Sequence, residues 1–180
     1  TMNLKIKELT IIALFPALMG ATAGVSIPLF NLPPITLQTF FVFLAGLILG
    51  PKKAALSMIV YLIMGAIGIP VFSGFRGGFE VLVGFSGGFL LGFVFSVIFI
   101  GFMKNVKILN KIFINNFAIL LGANLIIYMF GASYIAFLTK GSFLLVLAGF
   151  TPYLIGDLFK ITAVIYVYSR IRDALTYEWL

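Results

Sequence analysis

The charged residues of this chain leave uncharged stretches that are far longer than a soluble protein normally contains. The first runs from 9 to 51, a length of 43 residues, and others cover 54–75, 81–103 and 112–139. A charge at the centre of a bilayer costs a few kcal/mol, so uncharged runs of this length are typical of membrane-spanning segments. Composition agrees, because 62% of the residues are hydrophobic and only 9% are charged. We therefore predict an integral membrane protein.

Several kinds of chemistry are excluded by residues that the chain lacks. It contains no Cys and no His, which removes thiol catalysis, disulfides, zinc–thiolate sites and imidazole acid–base chemistry. There is no Walker A loop for ATP, so any uphill transport must draw on an ion gradient or a partner. The net charge of +7 is explained by loop cations that set membrane topology, and we predict no nucleic-acid partner.

Gly and Pro divide the apolar runs into helices. A hydrocarbon core of about 30 Å requires about 20 helical residues, so the run 9–51 must contain two spans, with a turn at Pro28 and Pro33-Pro34. The segment 141–150 is too short to span and too apolar for a solvated loop, which favours a short helix in the loop between the fifth and sixth spans. The chain is thus predicted to be one all-α domain, 1–180, with six transmembrane helices at 8–25, 35–50, 53–69, 80–103, 112–138 and 152–173.

The distribution of cations predicts the orientation in the membrane. Nine Lys and Arg residues fall at the chain termini and in the 2–3 and 4–5 loops, namely Lys5, Lys7, Lys52, Lys53, Lys104, Lys107, Lys111, Arg170 and Arg172. Only Arg76 and Lys140 fall in the opposite loops. The positive-inside rule then places both termini in the cytoplasm. A signal peptide at 4–24, ending near Ala21-Thr22-Ala23, is the alternative for the first span, but its removal would leave five spans.

A polar constellation is predicted at the outer face. Asp157 and Lys160 are three residues apart and share one face of the sixth helix. A self-neutralising ion pair is the alternative, although ionisable groups inside a membrane helix usually mark a functional site. The loop 68–80 carries a cation and an acid, Arg76 and Glu80, among glycines that let the backbone approach a ligand closely. Gln38 faces the same side, so we predict an apolar, aromatic pocket for a small amphiphile that bears a carboxylate.

The segment 84–88 adds Ser86 between glycines at the outer end of the fourth helix. Glycines there also suit tight helix packing, which is the alternative interpretation of this segment. The candidate ligand-binding set is Asp157, Lys160, Gln38, Arg76, Gly77, Gly78 and Ser86.

Five motifs in order along the chain carry a family resemblance. They are Thr36-Leu37-Gln38, Leu49-Gly50-Pro51-Lys52, Gly68-Ile69-Pro70-Val71-Phe72-Ser73-Gly74, Gly87-Gly88-Phe89 and Gly156-Asp157-Leu158-Phe159-Lys160. Together they resemble the BioY family, the biotin-specific substrate-binding (S) components of energy-coupling factor (ECF) transporters. The resemblance implies a six-helix fold in the prokaryotic plasma membrane that captures biotin outside. It also implies a coupling transmembrane subunit and two cytoplasmic ATPases as partners, so that this chain is not an enzyme and has no cofactor of its own.

The resemblance assigns the family's Asp and Lys to Asp157 and Lys160 and its helix 2 Gln to Gln38. Asp157 can accept the ureido N–H groups, while Lys160 or Arg76 can neutralise a carboxylate or donate to the ureido carbonyl. The assignment of the two cations stays open. Arg76 departs from the residue that the family often has there, which is Asn or a small residue, and the sequence of 84–89 differs from the family's G-P-[ST]-G-G-Y.

A stripe of small residues, Ala13, Ala17 and Ala21, recurs every four positions along the first helix. Packing inside the fold is one interpretation; in S components such a stripe docks on the coupling subunit, because small residues let helix backbones approach. Pro16 interrupts this helix, and the carbonyl that it leaves free needs another partner.

Three other functions remain as alternatives. An S component for another vitamin or a biotin-like carboxylate is the runner-up. A small membrane enzyme would use Asp157 and Lys160 as acid and base, but no nucleophile or metal cluster accompanies them. A structural membrane subunit would need neither residue for binding.

Overall fold

A computed structural model describes the backbone of residues 2–29 and 32–178 and the side chains of 6–27 and 33–172. Within these ranges the chain forms helices and one pair of strands. In chain order they are α1 Met2–Ala21, β1 Ser26–Leu29, β2 Leu32–Thr36, α2 Gln38–Ala66, α3 Phe79–Val83, α4 Gly87–Met103, α5 Ile112–Thr139, α6 Phe143–Ala148 and α7 Thr151–Glu178.

The long helices pack around a shared apolar core. The most extensive helix packing joins α2 to α4 and α4 to α5, and α1 covers α2. Phe43, Met58, Val97, Ile100 and Leu120 are fully buried at their centre. By length and hydropathy, α2 and α5 are each long and apolar enough to cross a membrane, and α4 is a shorter apolar helix. The six predicted crossings as a set stay a prediction.

The predicted break between the second and third helices is a change of backbone direction within α2. Gly50 has φ 73° and ψ 178°, inside a helix that is otherwise continuous from 38 to 66. A positive φ suits glycine, and the following Pro51 has no N–H to donate to the preceding turn. The Lys104 ammonium donates instead to the carbonyls of Leu47 and Ile48, at 3.1 and 3.4 Å. The break is therefore held by a cation at the end of α4.

The kink residue of α1 has the compensating contact that its chemistry requires. Pro16 lacks the N–H that would bond the carbonyl of Ile12, four residues earlier. The hydroxyl of Ser57 in α2 donates to that carbonyl at 2.8 Å. Ser57 is fully buried and Ile12 is 7% exposed, so water does not compete. The expectation that the freed carbonyl needs another partner is confirmed.

The segment between α1 and α2 separates two helices as predicted, but it forms a pair of strands and not a simple turn. Strands β1 and β2 pair in antiparallel fashion, with Ser26 opposite Thr36 and Ile27 opposite Ile35. Prolines prevent this segment from continuing either helix, and strand pairing satisfies backbone groups that would otherwise lack partners in an apolar setting. The first helix consequently ends at 21 instead of 25, and α2 begins at 38 instead of 35.

The predicted fourth helix, 80–103, is divided in two. Gly84 is extended, with φ −86° and ψ −172°, between α3 and α4. After the division, Gly88 lies against α5, where an added Cβ would approach the Cα of Gly131 to 3.1 Å. For Gly88, the second glycine of the pair Gly87-Gly88, the interpretation as tight helix packing is therefore correct. The remaining bounds also shift, with the third predicted helix ending at 66 and α7 extending to 178.

Candidate functional site

A half-open cavity lies where the hairpin, the loop after α2, and helices α4, α5 and α7 meet. The atom-free space among its lining residues is about 610 Å³ when the open solvent at its mouth is included. Five of the predicted ligand-binding residues converge on it: Gln38, Arg76, Ser86, Asp157 and Lys160. The rest of the wall is mainly apolar and aromatic, formed by Pro33, Pro34, Ile35, Thr36, Thr39, Phe72, Ser73, Val81, Phe89, Leu90, Phe93, Ile127, Tyr128 and Tyr153.

Asp157 is the most deeply buried ionisable residue of this wall, with 4% of its surface exposed. Its Oδ1 accepts from the Lys160 ammonium at 2.9 Å. Its Oδ2 accepts from the Asn124 amide at 3.0 Å and from the Tyr128 hydroxyl. Three donors thus meet a carboxylate that has about four acceptor positions. One acceptor position, on Oδ1, stays available for a ligand.

Lys160 is held from two sides. Besides Asp157, its ammonium donates to the Thr39 hydroxyl at 3.1 Å, and its side chain is 12% exposed. An ammonium has three N–H donors, so one remains for a ligand. The pair does neutralise itself, as the alternative interpretation expected, yet it presents one donor and one acceptor at the cavity wall. Its net charge there is close to zero.

Gln38 both lines the cavity and positions the loop beside it. Its amide N–H donates to the Tyr61 hydroxyl at 2.6 Å, and Tyr61 donates to the carbonyl of Val71 at 3.0 Å. The Thr36 hydroxyl donates to the Gln38 carbonyl oxygen at 3.3 Å. These bonds tie the start of α2 to the loop that carries Phe72 and Arg76. One amide N–H of Gln38 is still available for a ligand.

The loop after α2 folds into a tight turn. Phe72 and Arg76 exchange backbone hydrogen bonds at 2.9 and 3.1 Å, and Gly74 and Phe75 between them both have positive φ. Gly74 also donates to the carbonyl of Ala23 at 2.7 Å. The turn therefore presents the side chains of Ser73 and Arg76 to the cavity.

Gly77 and Gly78, the two glycines after this turn, are absent from the lining of the main cavity, and their predicted part in ligand binding stays a prediction. Gly77 lines a neighbouring depression, shared with Arg76 and Ser86. An added Cβ at Gly77 would lie 2.6 Å from the carbonyl oxygen of Gly68. Gly78 has φ 108° and donates to the carbonyl of Gly65 at 2.7 Å. Both glycines thus serve close backbone packing.

An aromatic cluster forms the wall beside Asp157. The Phe150 ring lies 5.1 Å from Phe89, 5.5 Å from Tyr128 and 5.7 Å from Tyr153, measured between ring centroids. The Tyr153 hydroxyl donates to the carbonyl of Pro33 and so joins α7 to the hairpin. Aromatic walls of this kind take apolar ring or chain groups of a ligand.

Sequence reasoning missed several residues of the site, among them Thr39, Ser73, Asn124, Tyr128 and Tyr153. Asn124 and Tyr128 could have been predicted from the sequence. They are polar residues four positions apart within an uncharged apolar run, and this spacing places them on one helix face. Ser73 lies in the loop 68–80 that was predicted to take part in the site, but it was not singled out. Thr39 and Tyr153 had no such signal, because only the folded chain brings them into the cavity lining.

A predominantly helical, apolar fold with a half-open cavity and a buried ion pair defines a small-molecule-binding membrane protein. Comparison with known proteins shows the family. The BioY family model matches residues 1–177, and the chain belongs to the BioY family. It is 35% identical over 170 residues to the probable biotin transporter BioY of Pyrococcus horikoshii, covering 94% of this chain and 98% of that protein.

Two further comparisons agree. The biotin transporter BioY of Thermotoga maritima is 35% identical over 170 residues, covering 92% of this chain and 96% of that protein. A crystal structure of the S-component for biotin from an ECF-type ABC transporter superposes with a TM-score of 0.86 at 30% identity. It covers 96% of this chain and 94% of that one. The fold is therefore that of an S-component.

Proposed function

We propose that this chain captures biotin at the outer face of a prokaryotic plasma membrane as the S component of an ECF transporter. The observation that carries the proposal is the buried Asp157–Lys160 pair in the wall of a half-open aromatic cavity. Burying two ionisable side chains inside a membrane protein costs free energy, and binding of a ligand to them accounts for their presence. The family membership and the names of the relatives support biotin as that ligand.

The free hydrogen-bonding positions of the pair suit a ureido group. This group offers N–H donors and a carbonyl acceptor side by side. Asp157 has one acceptor position left and Lys160 one donor, once the observed bonds are counted. Gln38 adds a third polar position nearby, and Ser86 a hydroxyl at the mouth. The aromatic wall around Phe89 then suits the apolar ring and chain of biotin.

The partners follow from the same proposal. We assign the stripe Ala13, Ala17 and Ala21 to docking on the coupling transmembrane subunit. All three residues are exposed, whereas Phe15 and Met19 on the same helix are buried. An exposed small-residue stripe supports close approach of another helix in lipid. Two cytoplasmic ATPases would supply the energy, both termini lie in the cytoplasm, and no enzymatic step is assigned to this chain.

The decisive experiment is direct ligand binding by the purified protein in detergent. We expect biotin to bind in preference to a panel of other vitamins, as measured by isothermal titration. Asp157→Asn should weaken binding by more than about tenfold, because the Lys160 charge and the ligand's polar groups are left without partners. Glu8→Gln is the matched control, since it removes one carboxylate from the exposed pair with Lys53.

Each other outcome has a definite meaning. Tighter binding of another vitamin would assign the chain to the runner-up, an S component of different specificity. Binding of biotin that is unchanged in Asp157→Asn would make the pair structural. If no member of the panel binds, the chain is not a vitamin-binding component.

A further inference from the structure

The hydroxyl of Ser73 is a buried donor with nothing to donate to. Ser73 is 8% exposed, and its Oγ has no hydrogen-bond partner among the described residues. It belongs to the lining of the main cavity. Buried polar groups nearly always find partners, so a hydroxyl left open in a ligand cavity points to a group that arrives with the ligand.

Arg76 lies on the same turn, nearer to the outside. Its Nε donates to the backbone carbonyl of Ser73 at 3.2 Å, which orients the guanidinium and leaves its terminal N–H groups for another acceptor. Arg76 takes part in neither of the ion pairs Lys53–Glu8 and Lys160–Asp157. Glu80 lines the neighbouring depression together with Arg76 but forms no ion pair with it, so the guanidinium at the cavity mouth can still bind an anion.

The deep end of the cavity has the opposite character. The charge of Lys160 is balanced by Asp157 at 2.9 Å. A ligand carboxylate placed there would meet a nearly neutral pair, with one like charge beside it, in a setting of low dielectric. A neutral ureido group meets no such repulsion. The deep end of the cavity therefore favours a neutral polar group, and the mouth favours an anion.

We infer that Ser73 and Arg76 form the subsite that binds the ligand's carboxylate at the cavity mouth, with the ureido group directed to Asp157 and Lys160. This inference rests on the proposed function, because it assigns the two ends of biotin. It also resolves which cation meets the carboxylate. Since Arg76 departs from the family pattern, the resemblance does not provide this subsite.

The test compares biotin with its primary amide, which has nearly the same shape and no charge. Charged hydrogen bonds are the stronger ones, and Arg76→Gln should weaken biotin binding by about 10- to 100-fold. The same variant should weaken binding of the amide by less than about threefold, because the neutral amide has no charge that Arg76 could pair with. Ser73→Ala should cost biotin about three- to tenfold. Lys140→Gln is the matched control, since it neutralises another exposed loop cation, one outside the cavity lining.

Asp157→Asn distinguishes the two orientations of the ligand. We expect it to weaken biotin and the amide by similar factors, because both carry the ureido group. Tighter binding of biotin in Asp157→Asn, or a loss clearly smaller for biotin than for the amide, would place the carboxylate beside Lys160 at the deep end and overturn the inference. Equal losses of both ligands in Arg76→Gln, or no loss, would overturn it as well, while biotin binding by the unaltered protein would leave the proposed function standing. If the unaltered protein binds neither ligand, both proposals are wrong.

Discussion

The hydrogen bond from Ser57 to the carbonyl of Ile12 in the kinked helix α1 can be tested by a double-mutant cycle. Removal of the hydroxyl in Ser57→Ala deletes the side-chain donor to the Ile12 carbonyl. Pro16→Ala restores a backbone N–H four residues after Ile12, which can donate to the same carbonyl. The two substitutions should therefore be strongly non-additive.

The expected size follows from burial. Ser57 is fully buried, and a buried acceptor left without a donor costs about 1–3 kcal/mol. Hydrogen bonds between helices in membranes average nearer about 0.6 kcal/mol, so we expect Ser57→Ala to cost about 1 kcal/mol. In the Pro16→Ala background it should cost about 0.3 kcal/mol or less, since the carbonyl keeps a partner. The change from Ser to Ala removes little volume, so the cavity contribution is small.

The assay is unfolding in mixed micelles by SDS titration, followed by far-ultraviolet circular dichroism, on the four proteins of the cycle. Ser96→Ala is the matched control, because Ser96 is equally buried and its Oγ has no partner among the described residues. We expect that control to be neutral or slightly stabilising. An equal cost of Ser57→Ala in both backgrounds, or a cost no larger than that of Ser96→Ala, would refute the reasoning.

The remaining predictions concern function, topology and the break in α2. Ala17→Trp should leave biotin binding by the isolated protein near normal and abolish both uptake in cells and co-purification with the coupling subunit; loss of binding would show that the stripe packs within the fold. Lys107→Cys should react with a membrane-impermeant maleimide only after the cells are opened, and reaction in intact cells would reverse the topology. Lys160→Arg should weaken biotin binding despite the conserved charge, because a planar guanidinium cannot reproduce the ammonium contacts to Thr39 and Asp157; unchanged affinity in titration would contradict this. Burial, with a smaller contribution from Lys53, lowers the pKa of Lys104 below its usual 10.5. The unfolded chain therefore binds this proton more tightly than the folded chain does. We expect the free energy of unfolding to rise as the pH rises from the folded-state pKa towards 10.5. Lys104→Met should flatten that rise, and an unchanged pH profile would exclude Lys104 as its source.

Some features of the site were predictable because they depend on local chemistry. Asp157 and Lys160 are three residues apart, so a helix alone brings them together. Pro16 removes a backbone donor whatever surrounds it, and the need for another partner at Ile12 followed directly. Gln38, Arg76 and Ser86 were placed near the pair by the expected topology and resemblance, and the cavity lining includes all three.

The sequence by itself determined the class of protein, because long uncharged runs and interspersed Gly and Pro residues act through composition and local backbone preference. Tertiary structure alone decided which groups meet. The Ser57 contact to Ile12 and the donors from Tyr128 and Asn124 to Asp157 all join residues distant in the chain. Periodicity predicts the face on which a residue lies but not the partner opposite it. The role of a polar side chain in this site, as donor, support or open position, therefore depends on packing that only the folded chain defines.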